Sequence, residues 1–341
     1  MIQIETATIK DLILHRVNSE RQELLLNEDR LSYGDENIDA LLRKVLLKPF
    51  TTQAYSFEFM HEIDLSYNVL FNISKRIFEN EDFVTASKDI AKHLLAMSKH
   101  PNIKDGDLFI AHYNDIKFNN QYVQGIGIYK FEDKEKYIET FAEDGNVSVA
   151  FRNGISNKKP EKAVLILYTE EPYTLLVIDS GTSETEYWQN DFIKHQSKND
   201  FVNNTTEVMQ LTELFIKEQF PQEYEAGKVD QIDLLNRSAE FFKSHDVYNK
   251  EEYENSVLSD PGLIDSFVKY NDNYREQNDL EIEDGFKLFP QSIKKQQKNF
   301  KGIIKLDKDF HIYIHGSRQN IEQGVDENGK KFYKIYYDVE S

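Results

Sequence analysis

DLFIAHYNDIKFNNQYVQGIGIYKF, residues 107–131, has the pattern of a strand, a turn and a strand. Leu108, Phe109, Ile110 and Ala111 form an unbroken apolar run, as expected for a strand covered on both faces. Beyond a turn of Asn119, Asn120 and Gln121, Ile126 and Ile128 alternate with Gly125, Gly127 and Tyr129 at the period of a strand. Asn tolerates the left-handed backbone region, so the two asparagines suit the tip. A lone hairpin is marginal in water. This one needs neighbours, and apolar stretches on both sides supply them.

Downstream, residues 137–142 and 147–151 flank Asp144 and Gly145, a strong hairpin signal. Residues 163–169 and 173–179 (AVLILYT and YTLLVID) flank Glu170, Glu171 and Pro172, and read as a further antiparallel pair. Upstream, residues 8–17, 22–27 and 55–60 read as strands. Asp35 caps a helix with Ile38, Leu41, Leu42, Val45 and Leu46 at helical spacing, and residues 65–79 and 82–99 give two more. Strands, helices and strands in that order predict an α+β fold, an antiparallel sheet with flanking helices.

A boundary is expected near Gly181. Past it the chain reads as helical, from an entry at 188–197 through a capping box of Asn204 with Glu207, a helix at 231–245, a second box of Asn249 with Glu252, and Asp260–Pro261 opening another helix. From Phe286 the character changes again. Residues 302–306, 310–315 and 331–338 read as strands, with a turn at Asn328–Gly329. The expected organisation is an α+β domain at 1–181, a helical segment at 182–285 and a basic, β-rich C-terminal segment at 286–341 packed on the rest.

The charge is unevenly spread. The 341 residues carry a net −19, which repels a phosphate backbone at long range. Residues 286–341 hold eleven basic against seven acidic side chains, a net +4 that leaves −23 for the remainder. There is no cysteine, which excludes disulfides, thiolate zinc sites, iron–sulfur clusters and cysteine nucleophiles. The first residues, MIQIETATIKDLILHRV, do not have the pattern of a signal peptide, and no apolar run reaches the roughly 20 residues of a membrane span. A cytoplasmic protein with no membrane partner is expected.

Among candidate sites, Lys294, Lys295, Lys298, Lys301 and Lys305 lie close together with Phe289, Phe300 and Phe310 between and around them. Lysines attract phosphate regardless of sequence and aromatic rings can stack on bases. The rival reading is a solvated helix turn with its phenylalanines in the core. His311 and His315 share one face of a strand but lack a third ligand for a metal. His61, Glu62 and Asp64 cluster beside a helix start, where acids favour the dipole. His112 with Asp115 offers an acid–base pair without a nucleophile motif, and Lys162 with Asp179 offers weak grounds for a metal-dependent nuclease. Gly125 and Gly127 are not a dinucleotide fingerprint, since no helix opens there. No catalytic residue, metal or cofactor is assigned.

The segments GDLFIAHYNDIKFNNQYVQGIGIYKFE and AFRNGISNKKPEKAVLILYTEEPYTLLVID resemble the central blocks of the bacterial nucleoid-associated (NdpA-like) family, in its Bacteroidetes-type form. ATIKDLILHRV, YWQNDFIKHQSKNDFVNNTTEVM and NFKGIIKLDKDFHIYIH fit the same order, so the resemblance spans almost the whole chain. It implies a non-enzymatic cytoplasmic protein of the nucleoid that associates with chromosomal DNA and deals with DNA-processing proteins such as topoisomerases. Given the net charge, two routes to the chromosome are expected: the C-terminal lysines, or a protein partner. The rivals are an acidic adaptor for DNA-processing enzymes and a metal-dependent nucleic-acid hydrolase. Self-association as a homo-oligomer is left open.

Overall fold

The computed structural model describes residues 2–53, 55–155, 159–180, 186–278, 280–314 and 320–339. They group into two compact units, Met1–Lys198 and Asn199–Ser341. Gly181, where the sequence suggests a boundary, lies outside the described residues.

The first unit is built on one antiparallel sheet. Its strands in chain order are β1 (Ile2–Gln3), β2 (Thr8–Asn18), β3 (Glu23–Leu25), β4 (Phe57–Phe59), β5 (Gly106–Phe118), β6 (Gln121–Phe131), then a separate hairpin of β7 (Glu135–Glu143) and β8 (Asn146–Gly154), and finally β9 (Lys162–Leu167), β10 (Thr174–Asp179) and β11 (His195–Ser197). The spatial order is β11-β4-β10-β9-β6-β5-β2-β3, with β1 also pairing to β5. The opening hairpin therefore sits at the centre, with Ile110 opposite Ile128 and Ala111 opposite Gly127. Asn119 and Asn120 both adopt positive φ, 47° and 66°, so the turn is the two-residue kind whose twist matches the strands.

Both faces of the sheet are covered, which is why its central strands read as uninterrupted apolar runs. On one face Leu108, Ile110, Ile126, Ile128, Val164 and Ile166 pack against α2 (Val69–Phe78) and α3 (Phe83–Met97). On the other, Ala111, Tyr113, Tyr129, Leu165 and Leu167 meet α1 (Glu36–Leu47), through Val45, Leu46 and Leu47. Each fully buried Ile or Leu stabilises the sheet by about 1.5–3 kcal/mol. Asp35 caps α1 through its carboxylate, as read from the sequence, and Asp82, expected as the first residue of a helix, is instead the cap of α3.

Glycine is required where rings lie across the sheet. The Tyr129 side chain folds over Gly127, where a Cβ would stand 2.2 Å from the tyrosine hydroxyl. That hydroxyl meets the Tyr113 hydroxyl at 3.1 Å, in a fully buried pair. Residues 188–197, expected to be helical throughout, split into a wide helical turn over Tyr187–Ile193 and the edge strand β11. Lys194 adopts φ 53°, which breaks the helix and lets His195 to Ser197 pair with β4.

The second unit contains α4 (Phe201–Leu214), α5 (Phe220–Glu223), α6 (Lys228–Ser244), α7 (Lys250–Tyr253), α8 (Pro261–Gln277) and α9 (Pro290–Gln296) around an aromatic core of Phe215, Phe241, Phe242, Tyr248, Tyr253 and Phe267. α4 begins earlier than the Asn204–Glu207 box predicts. Asp200 is the cap, accepting hydrogen bonds from the Val202 and Asn203 amides, and Asn204 is buried within the first turns. The Asn249 and Asp260 caps form as read. Two hairpins follow: β12 (Gly302–Leu306) with β13 (Phe310–Ile314), and β14 (Ile321–Val325) with β15 (Lys331–Ile335). β14 carries only Ile321 and Val325 as large apolar residues, and the sequence reading does not find it.

Candidate nucleic-acid interface

The C-terminal lysines are exposed because their neighbours are held inward. In α9, Ser292 and Ile293 are buried, and the Ser292 hydroxyl meets the Thr206 hydroxyl of α4 at 3.0 Å. The Phe289 amide donates to the Thr205 hydroxyl at 3.0 Å, which anchors the start of the same helix. Phe300, ending a tight turn over Gln297–Phe300, enters the aromatic core beside Phe242. With Ile293 and Phe300 inside, Lys294, Lys295 and Lys298 face solvent.

The strand that follows continues the pattern. Gly302 and Ile304 of β12 face α6, where a Cβ on Gly302 would stand 2.4 Å from Ile232 Cγ2. The alternate residues Lys301 and Lys305 are exposed, and Lys305 lies opposite His311 of β13. Lys301 and Lys305 are four residues apart on extended chain, about 13 Å. Lys295 and Lys298 are close neighbours. Partial burial, and then the charge of Lys298, hold the Lys295 ammonium below the usual lysine pKa. Among the described residues, Lys294, Lys298, Lys301 and Lys305 make no ion pair. That is unusual surroundings for a cation here, since residues 199–285 carry 21 acidic against 7 basic side chains.

The aromatic side chains divide. Phe300 is core, Phe289 packs on Phe201 at 5.5 Å, and Phe310 alone of the three is exposed, at 63%. Sequence reasoning missed the partners that the fold gives to Lys305 and Phe310. A groove of about 820 Å³ is lined by both, and also by Lys331, Phe332 and Tyr333 of β15. The signal available in the sequence is the alternation of Lys331, Phe332 and Tyr333 just after the Asn328–Gly329 turn.

The other candidates resolve into local structure. His112 is buried, meets Gln124 Oε1 at 3.1 Å and approaches Asp11 at 3.5 Å; burial lowers its pKa. Asp115 does not accompany it as a pair but sits at a bulge with φ 56°, its carbonyl accepting from Thr6. Lys162 is buried and paired directly with Asp179, which also accepts from Gln189 at 3.2 Å. Lys130, wholly buried, donates to the Lys104 carbonyl at 2.6 Å, Glu132 at 2.9 Å and the Tyr187 hydroxyl at 3.1 Å. Asp64 caps the turn Leu65–Tyr67, and His61 stacks on Tyr67. His311 is exposed, while His315 lies outside the described residues. Among the described residues no three His, Asp or Glu side chains are placed to hold a metal ion, and no helix is long and apolar enough to cross a membrane.

The sequence matches a family model described as "Nucleoid-associated protein YejK" over residues 13–339. Among the curated proteins and the solved structures, none matches the chain.

Proposed function

The chain belongs to this nucleoid-associated family, and from that premise we propose that it reaches the chromosome by its own contact with DNA phosphates, through Lys294, Lys295, Lys298, Lys301 and Lys305. Membership makes it a protein of the bacterial nucleoid, in the cytoplasm, and the family is not one of known enzymes. The observation that carries the direct route is the exposed run from Lys294 to Lys305, in which four lysines stand without a carboxylate partner among the described residues. Cations already paired to protein acids must give up that partner to meet a phosphate; these need not. The net −23 carried outside residues 286–341 repels phosphate, so contact should be limited to these basic residues.

A second reading, attachment through a protein partner such as a topoisomerase, is favoured by the hairpin of β7 and β8. Ile138 lies opposite Phe151 on it, Thr140 opposite Val149 and Ala142 opposite Val147, and the four large apolar side chains of that face are 63–81% exposed. Titration of duplex DNA with purified protein at two salt concentrations separates the two. If all five lysines meet phosphates, affinity falls as about the 4.5th power of salt, or ~500-fold between 50 and 200 mM. Replacing Lys294, Lys295, Lys298 and Lys301 by Ala should remove most of that slope. Salt-insensitive binding, or none, would refute direct contact and leave the partner route.

A further inference from the structure

We propose that the groove between the hairpins β12–β13 and β14–β15 binds unpaired bases of single-stranded nucleic acid. The proposal extends the phosphate-binding reading above; it shares Lys305 with that reading and adds Phe310, Lys331, Phe332 and Tyr333. The groove, about 820 Å³, lies within the range of sites that enclose small ligands, and its walls combine two kinds of group. Phe310, Phe332 and Tyr333 supply ring faces, and Lys305 and Lys331 supply cations; Asp307 is the one acid among the lining residues. Phe310 is 63% and Phe332 43% exposed, so both rings present surface that the protein itself does not cover.

The local structure holds these rings in place. Phe332 lies opposite Gly324, and a Cβ there would stand 2.6 Å from the ring's Cζ. The glycine therefore lets the ring settle against the strand. Tyr333 packs beside the cluster of Val229, Ile232, Ile304 and Ile314, which fixes β15 to the body of the unit. Lys305 and Lys331 make no ion pair among the described residues, whereas the nearby Lys334 is already engaged by Glu322 and the Tyr336 ring.

Rings and unpaired lysines together are the chemistry of single-strand recognition: cations follow the backbone while each base stacks on an aromatic face. A duplex cannot use the rings, because its bases already stack on one another. With two lysines engaged, the salt dependence should be shallow, a power of about 1.4. DNA and RNA share the stacking chemistry, and the ribose hydroxyl distinguishes them.

The test is fluorescence anisotropy of the full chain with a labelled oligothymidylate, an oligouridylate and a mixed-sequence duplex. Phe310→Ala with Phe332→Ala should weaken oligonucleotide binding by about thirtyfold or more while duplex affinity stays within about twofold. Phe310→Tyr with Phe332→Tyr should retain it, since tyrosine stacks as well. Unchanged oligonucleotide binding in the Ala variant, an equal loss in the Tyr variant, or an equal loss on duplex would each overturn the proposal. So would no single-strand binding by the unaltered chain, the result expected if the groove takes an acidic peptide instead. Single-strand binding without duplex binding defeats the phosphate reading alone; duplex binding without single-strand binding defeats this one alone.

Discussion

Replacing Asp179 by Asn removes one negative charge from a place where two lysines are buried. Lys162 is 2% exposed and its Asp179 partner 12%, so little water is available to take over from the carboxylate. The Lys130 ammonium is wholly buried nearby, and the charge of Lys162 already helps to lower its pKa, after the larger effect of burial. Asn keeps the shape and loses the charge, leaving Lys162 beside a like charge in a poorly hydrated interior. Breaking a buried pair from one side costs about 3–5 kcal/mol, against a total stability of about 5–15 kcal/mol for a typical domain. Replacing both members, Lys162→Met with Asp179→Leu, removes charge and counter-charge together and should return the variant to within about 1 kcal/mol of the parent. Urea unfolding followed by circular dichroism reads both, as a shift in midpoint at unchanged slope. A loss below about 1 kcal/mol in Asp179→Asn would mean that water reaches the pair. A double variant as damaged as the single would mean that the charged pair itself, and not only its balance, holds the fold.

Two further outcomes follow from the same unit. Gly127→Ala should cost about 2–6 kcal/mol in urea unfolding, from overpacking against Tyr129 and the loss of its hydroxyl contact with Tyr113. In a Tyr129→Ala background the same change should cost much less; equal costs would show that the ring is not the obstacle. His15 should make the fold sensitive to acid. Burial, and then the charge of Lys88, depress its pKa from 6.5 to about 4, so the unfolded chain binds the proton more readily. Its contribution is full above pH 6.5 and is lost as pH falls toward 4, by about 3 kcal/mol. His15→Gln should flatten the fall in stability between pH 7 and about 4.5, and identical slopes for the two proteins would count against it.

Elements whose physics is local are legible in the amino-acid sequence alone. Unbroken apolar runs gave the doubly covered strands, paired asparagines gave the central turn, and Asp35, Asn249 and Asp260 gave caps, because each needs only near neighbours to act. The lysines of the C-terminal segment were legible for a similar reason, as a charge run interrupted by phenylalanines. Other features depend on contacts distant in the chain. The sequence of Asn204 and Glu207 meets the pattern of a cap, but Asp200 holds the end of α4 while Asn204 is buried. The edge strand β11 exists because β4 offers it unpaired backbone groups, which no period in HQS announces. Whether Phe300 or Phe310 faces water depends on which side of α6 and β12 the chain passes. The groove joining Lys305 to Lys331 brings together residues 26 positions apart, on hairpins whose register only the packed unit sets.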